Sequence, residues 1–195
     1  RGTPVDRPQA PLIKMMTCNG EDAMGVRVTL LMALTADGKI ARDPEHSPDW
    51  TGKADKQLFV RLTRQAGALI MGRKTYDTIG RPLPGRLNVV MTRNQRLSSG
   101  HDNLIFTDRT PEALVQWLGE KGYQEVILAG GATVNNLFAR QQLIDQMVLT
   151  ISPLIFGQGL SLFSQPFDTR LKLLKTEPLG TDQVSLYYRV LKRLD

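Results

Sequence analysis

Residues 26–34 (Val-Arg-Val-Thr-Leu-Leu-Met-Ala-Leu) are apolar almost without interruption, and this run constrains the fold more than any other feature. A strand apolar on both sides must be covered on both sides, which points to a parallel sheet layered between helices. The following segments keep to that scheme. Residues 36–39 (Ala-Asp-Gly-Lys) signal a turn, and residues 42–49, with Pro44 and Pro48, a polar loop. A helix over residues 53–65 places Phe59, Leu62 and Ala66 on one face. Residues 68–71 read as a second buried strand, ended by Gly72 before a short helix to Ile79. An ordered turn over 81–85 leads into strands at 88–92 and 104–107. Thr110 then caps a helix with Pro111 at its first position, running to Lys121. A strand at 125–129, a sharp turn at Gly130-Gly131 and a helix over 132–141 complete the alternation. Strands at 147–152, near 172–177 and at 184–191 then follow with no helix between them. The expectation is one three-layer α/β domain over residues 25–195. Its central sheet is mainly parallel with an antiparallel C-terminal strand, and helices cover both faces.

Residues 1–24 stand apart. Rich in Pro and charge at first and aperiodic afterwards, they are expected to lie outside the core, with Met24 a natural alternative start. Asp6, Glu21 and Asp22 argue against a targeting segment. Cys18 is the single cysteine, so neither an internal disulfide nor a cysteine zinc cluster can form. With His46 and His101 the only histidines, no metal site is expected. No apolar run approaches the roughly 18 residues of a membrane span, and a cytoplasmic globular protein, monomer or homodimer, is the default. Lys and Arg number 25 against 19 Asp and Glu, a net charge of +6. Such a balance suits a polyanionic partner, either nucleic acid or a phosphate-rich cofactor. The cations are scattered singly and aromatics make up 6% of the chain, leaving little on which bases could stack. The reading is a phosphate-bearing small molecule and no nucleic acid.

Two familiar phosphate motifs are missing. No G-x-G-x-x-G follows a strand. Residues 67–75 come near a P-loop but hold one residue too many before Lys74, and a strand-like apolar stretch where a cradle needs an open loop. Asp55 is the first residue to carry chemistry. It precedes Phe59 by four positions and Leu62 and Thr63 by seven and eight, so it shares their inward face. A first-turn acid commonly answers only to the helix dipole. Near Trp50 on an apolar face, however, a carboxylate is costly unless a ligand supplies donors. A heterocycle edge with a ring N–H beside an amino group would supply two parallel hydrogen bonds. Gly72-Arg73-Lys74-Thr75 lies where a strand opens into a helix, an arrangement that suits a phosphate as well as it suits two solvated cations. Gly130-Gly131-Ala132-Thr133 repeats it. Two such openings suit a diphosphate across the sheet edge, with Arg93 a further contact.

Trp50, Asp55, Phe59 and Thr63, with the run Met-Gly-Arg-Lys-Thr-Tyr-Asp-Thr-Ile-Gly-Arg-Pro-Leu-Pro-Gly-Arg at 71–86, resemble the core of dihydrofolate reductase, spacing included. The resemblance extends over residues 28–150. It implies the dihydrofolate-reductase fold and NADPH-dependent reduction of 7,8-dihydrofolate to 5,6,7,8-tetrahydrofolate. By this resemblance Asp55 binds the pterin 2-amino group and N3 and assists protonation at N5. Trp50 organises the loop and an ordered water, and Thr150 supports the same network. Leu31, Ala33, Phe59, Thr63 and Ile79 line the substrate pocket, and Arg86 receives the α-carboxylate of the glutamate tail. Ala33 and Ile40 border the nicotinamide. Gly130, Gly131, Ala132 and Thr133, flanked by Ala129 and Val134, hold the diphosphate. Gly72, Arg73, Lys74 and Thr75 lie on the adenosine-phosphate side with Thr92 and Arg93. Arg73 and Arg93 favour the 2′-phosphate of NADPH over NADH, and antifolates are the implied inhibitors.

The chain departs from that family in places. Asp49 intrudes between Pro48 and Trp50, and Val134 stands in place of a tyrosine common after the glycine pair. Residues 28–41, 129–133 and 152–159 are also similar to a sister family on the same fold, the NADPH-dependent pyrimidinone-phosphate reductase of riboflavin synthesis. Asp55 and Arg86 match the two ends of a folate and rank dihydrofolate first, because a ribose phosphate would want cations closer to the ring pocket. A non-catalytic NADP-binding or nucleic-acid-binding protein on the same fold is the third reading. In either reductase, residues 42–49 are the candidate lid over the reacting rings.

Overall fold

In the computed structural model, which describes residues 25–94 and 96–191, the long apolar run becomes the central strand β1 (Arg27–Thr35). The expected extension over 1–24, with Cys18, falls outside the described residues. After β1 come β2 (Lys39–Ala41), a 3₁₀ turn (Pro48–Thr51), α1 (Gly52–Ala66), β3 (Ala68–Gly72), α2 (Arg73–Ile79), β4 (Leu87–Met91) and β5 (Leu104–Thr107). Then follow α3 (Pro111–Glu120), β6 (Glu125–Leu128), α4 (Ala132–Arg140), β7 (Gln146–Ser152), β8 (Leu160–Ser161), β9 (Arg170–Leu179) and β10 (Gln183–Leu191). The eight-stranded sheet has the order β5-β4-β3-β6-β1-β7-β10-β9. It is parallel from β5 through β7. The last two strands form an antiparallel finish, β10 running against both β7 and β9.

Alternate residues of the strands feed two cores. Leu30, Ile70 and Leu128 meet Leu114, Leu118 and Phe138 of α3 and α4 on one face. Leu31, Leu69, Met71 and Ile127 meet Leu58, Phe59 and Leu62 of α1, and Tyr76 and Ile79 of α2, on the other. Leu30, Leu69, Ile70 and Leu128 are fully buried, each contributing about 1.5–3 kcal/mol of apolar transfer. The local signals act as expected: the Thr110 hydroxyl accepts from the Ala113 N–H, and α1 stops at Gly67 in the left-handed region, φ 74°.

One register detail creates the site. β1 pairs with β6 only as far as Leu30–Leu128, yet stays paired with β7 to Thr35–Ser152. Beyond Leu30 the sheet therefore splits, and the far half of β1, with Met32 and Ala33, borders a cleft at the carboxyl ends of the parallel strands. Ligands of open α/β sheets bind at such places. The region read as plain loop also carries more order than expected. Ser47 caps the 3₁₀ turn through the Asp49 N–H, and β2 pairs with β8 in a two-stranded ribbon. Among the described residues no helix is long and apolar enough to cross a membrane, and no group of three or more His, Cys, Asp or Glu is placed to hold a metal.

Candidate functional site

The first turn of α1 aims Asp55 inward toward β7. Thr150 is fully buried on β7, and its hydroxyl, with that of Thr51, hydrogen-bonds the Asp55 carboxyl. Burial pushes the Asp55 pKa up from the ordinary carboxylate value, while the two hydroxyls and the charge of Lys56 pull it partly back. The Lys56 ammonium itself pairs with Asp49, which gives the inserted Asp49 a role in the turn and on α1. Thr150 Oγ1 also lies 3.4 Å from Ser185 Oγ on β10. Asp55 is thus a half-buried acid, held in place by hydroxyls and favoured toward its protonated form.

Trp50 lies on the 3₁₀ turn that precedes α1, with its Nε1 buried and without a protein partner. Its ring meets Phe156 edge-on at 5.2 Å. Phe156 in turn receives the His46 ring at 5.4 Å and the Arg42 guanidinium at 4.1 Å over its face. The Phe156 and Gly157 N–H groups donate to Asp37 at 3.2 and 2.7 Å, and the Thr35 hydroxyl donates to it at 2.6 Å. These hydrogen bonds, Thr35's above all, hold the Asp37 pKa down to about 2. Gln183 Nε2 donates to Thr51 O and Ser152 Oγ, both at 2.8 Å. The loop after β7 therefore clasps the 42–51 segment and fixes Trp50.

Along α1 the pocket wall is apolar. Leu31, Phe59 and Ile79 belong to the α1-side core. The Thr63 hydroxyl donates to Phe59 O of its own helix at 2.6 Å, so Thr63 shapes the wall. At the far end sits Arg86, 5% exposed. Its Nη1 donates to Pro84 O at 3.0 Å, and its Nε has no partner. Burial and the nearby Arg64 cation lower its pKa. Among the described residues no carboxylate forms an ion pair with it. A desolvated cation without a counter-ion is strained toward binding an anion.

Across the split, the two glycine openings converge. Gly72 N–H donates to Gly130 O at 2.8 Å. A Cβ on Gly72 would stand 2.9 Å from Val134 Cγ2, and one on Gly131 would stand 3.4 Å from Thr75 Oγ1. Gly131 is the N-cap of α4 and brings no side-chain cap, so the first N–H groups of that helix face the cleft open. A cradle in which Gly72 has no room for a side chain and Gly130 holds φ 88°, opened by a helix N-terminus without a side-chain cap, fits a diphosphate. Ala129 and Val134 are buried beside it, Val134 packing in the α4-side core. Arg73 is bound to Asp77 at 2.6 Å and lies 5.8 Å from the Phe106 ring. Lys74 and Arg93 are exposed, and the Thr92 hydroxyl accepts from Asn94 N–H. Ile40, on β2, packs against the α4-side core.

Four residues near the site gave no sequence signal of their own: Asp37, read only as part of a turn; Phe156, inside the 152–159 run; and Met32 and Asn135, which flank Gly130.

Comparison with known proteins identifies the family. The family model described as the RibD C-terminal domain matches residues 26–185. A dihydrofolate reductase from Pneumocystis carinii is 30% identical over 141 residues, 64% of this chain and 68% of that protein. One from Lactococcus lactis subsp. lactis is 26% identical over 148 residues, 75% of this chain and 84% of that protein. Among solved structures, Acinetobacter baumannii RibD superposes with a TM-score of 0.73 at 22% identity. The match covers 86% of this chain and 58% of that one.

Proposed function

Because this chain belongs to the RibD C-terminal domain family and is a dihydrofolate-reductase-like, NADPH-dependent reductase, we propose that its substrate is 7,8-dihydrofolate, reduced to tetrahydrofolate. Arg86 carries this choice. A buried guanidinium with no acid partner, separated by the apolar wall of Phe59 and Ile79 from the half-buried Asp55, suits a ligand with a ring at one end and a carboxylate at the other. In this reading Asp55 accepts from the ring N–H and amino group, Thr150 and Thr51 hold its carboxyl in place, and Leu31 and Ala33 border the ring.

NADPH, when bound, supplies the hydride. Gly130, Gly131, Ala132 and Thr133 would hold its diphosphate, with Gly72 and Thr75 closing the cradle. Arg73, Lys74 and Arg93 would face its adenosine phosphate. The chain's own contribution to the chemistry is positioning and a proton. Stacking of two rings at the split in the sheet requires water to be shut out, and the 42–51 segment, clasped by Phe156, forms that wall. The acceptor ring nitrogen is weakly basic, so a proton donor must stand near it. Asp55, its pKa raised by burial, assists that protonation through a water held on Trp50 Nε1.

A second reading has a specific observation in its favour. Lys56 follows Asp55 directly, and Lys53, Lys56, Arg61 and Arg64 line a groove on the outer side of α1. These cations would suit the phosphate of a ribosylamino-pyrimidinone, and the family match supports that substrate as well. The deciding experiment follows NADPH absorbance with dihydrofolate and, separately, with the pyrimidinone phosphate. Turnover of dihydrofolate alone is expected, and turnover of the pyrimidinone alone would overturn the folate reading.

A further inference from the structure

Asn135 lies on α4 one turn past the glycine cradle and is fully buried. Its amide is fixed in one sense, because Nδ2 donates to Leu162 O at 2.9 Å. The other end, Oδ1, is buried and accepts no hydrogen bond. Such an acceptor is expensive to keep, and native chains rarely keep one without a reason. Its neighbour on the helix shows the contrast: Asn136 Oδ1 accepts from the Gln165 N–H at 3.2 Å. Asn135 Oδ1 borders the cradle itself. A Cβ on Gly130 would stand 3.8 Å from it, and 3.0 and 3.2 Å from Met32 Sδ and Cε. The thioether of Met32, on the half of β1 that has left β6 but still pairs with β7, thus shares the space over Gly130 with this oxygen. Met32 is partly exposed, and an unbranched thioether is the side chain best able to swing aside.

We propose that Asn135 is a cofactor-positioning residue whose Oδ1, with Met32 swung aside, accepts a hydrogen bond from a neutral donor on the nicotinamide nucleoside of NADPH. The sign of the charge settles what kind of group this is. A carbonyl oxygen repels phosphate oxygens, so the partner is an N–H or O–H, either the carboxamide amine or a ribose hydroxyl. The diphosphate stays with the open N–H groups of α4. The residue thereby reads the half of the cofactor that carries the hydride, and it does so independently of which substrate is reduced.

The test measures binding rather than turnover. Dissociation constants are read from quenching of protein fluorescence with NADPH and with two analogues. The 3-acetylpyridine analogue has a methyl in place of the carboxamide amine, and the second analogue lacks the 2′-hydroxyl of the nicotinamide ribose. The wild-type chain should bind one of the analogues about five- to tenfold more weakly than NADPH, the range of one neutral hydrogen bond. In Asn135→Leu that discrimination should fall to near unity while the other ratio stays put. A purely structural asparagine, tying α4 to Leu162, would weaken all three ligands alike and leave both ratios unchanged, and that result overturns the proposal. Asn135→Ala repeats the measurement should the leucine variant fail to fold. Absence of NADPH binding by the wild-type chain would instead contradict the reductase assignment, a failure separable from the first.

Discussion

Replacing Arg86 with leucine should strengthen the fold and weaken the enzyme. Arg86 is 5% exposed, with one hydrogen bond to Pro84 O at 3.0 Å and an unpaired Nε. An unsatisfied buried donor costs about 1–3 kcal/mol. Leucine fills much of the same volume without it, and also removes the repulsion from Arg64. Pro84 is exposed, so its carbonyl can turn to water when the guanidinium is gone. The melting temperature should rise by roughly 2–4 °C for each kcal/mol recovered. A carboxylate held by a guanidinium contributes about 1.5–3 kcal/mol, so KM for dihydrofolate should rise roughly 10- to 150-fold with NADPH affinity unchanged. Thermal melts and steady-state kinetics on the same preparation read both quantities. A lower melting temperature with unchanged KM would show that Arg86 is a strut for the 81–85 turn, and the anion-site argument would fail.

Asp55→Asn should cut turnover by roughly 10²- to 10⁴-fold and leave NADPH binding nearly intact; equal loss of both would make the residue structural. Its pKa is raised by burial, so its contribution to stability is full below the unfolded value and is lost as pH rises through the folded one. The asparagine variant should therefore melt above wild type at neutral pH, the two curves converging below about pH 4. Asp37 has the opposite sign: held at about 2, it stabilises above its unfolded value, and the benefit disappears as pH falls toward 2. Asp37→Asn should flatten that acid limb and, by loosening the Phe156 clasp, speed NADPH release several-fold in stopped-flow; an unchanged release rate would separate the clasp from the cofactor. Arg73→Ala combined with Arg93→Ala should narrow the preference for NADPH over NADH by roughly tenfold, and a constant ratio of dissociation constants would refute the 2′-phosphate assignment.

What could be read from the sequence follows from how far each signal depends on neighbours in the chain. Asp55 was legible because positions four, seven and eight residues on are apolar or small, which fixes its direction on a helix whatever surrounds it. The glycine openings were legible because Gly72 ends a strand and Gly130 closely follows one. That they touch, Gly72 N–H on Gly130 O, is a property of β3 lying beside β6. β2 and β8 have three and two residues, too few for any period, and they exist only as partners of each other. The 3₁₀ turn did carry a start signal, Ser47-Pro48, but no apolar period follows it and it was read as loop. β9 exposes nearly all its residues, as edge strands do, so its beginning at Arg170 had no alternation to mark it. The isolation of Arg86 was out of reach altogether, since it depends on which carboxylates fail to come near.

Among the described residues, three buried side-chain atoms lack a hydrogen-bond partner, namely Trp50 Nε1, Arg86 Nε and Asn135 Oδ1. They lie on the lid, at the far end of the pocket and at the glycine cradle, one in each part of the candidate site. A random distribution of packing faults would have no reason to choose these places over the helices and strands elsewhere. A buried donor or acceptor left unsatisfied by protein and water alike costs about 1–3 kcal/mol, a serious amount beside a net stability of about 5–15 kcal/mol for a domain. The same chain satisfies Asn88, two residues from Arg86: the Asn88 Nδ2 lies within hydrogen-bond reach of the carbonyls of Leu83, Arg86 and Asn103. The fold is able to satisfy its buried polar groups and leaves these three open. A ligand or water that completes those bonds would gain what an unpaired buried atom costs, and the proposed substrate and cofactor would each meet at least one of the three.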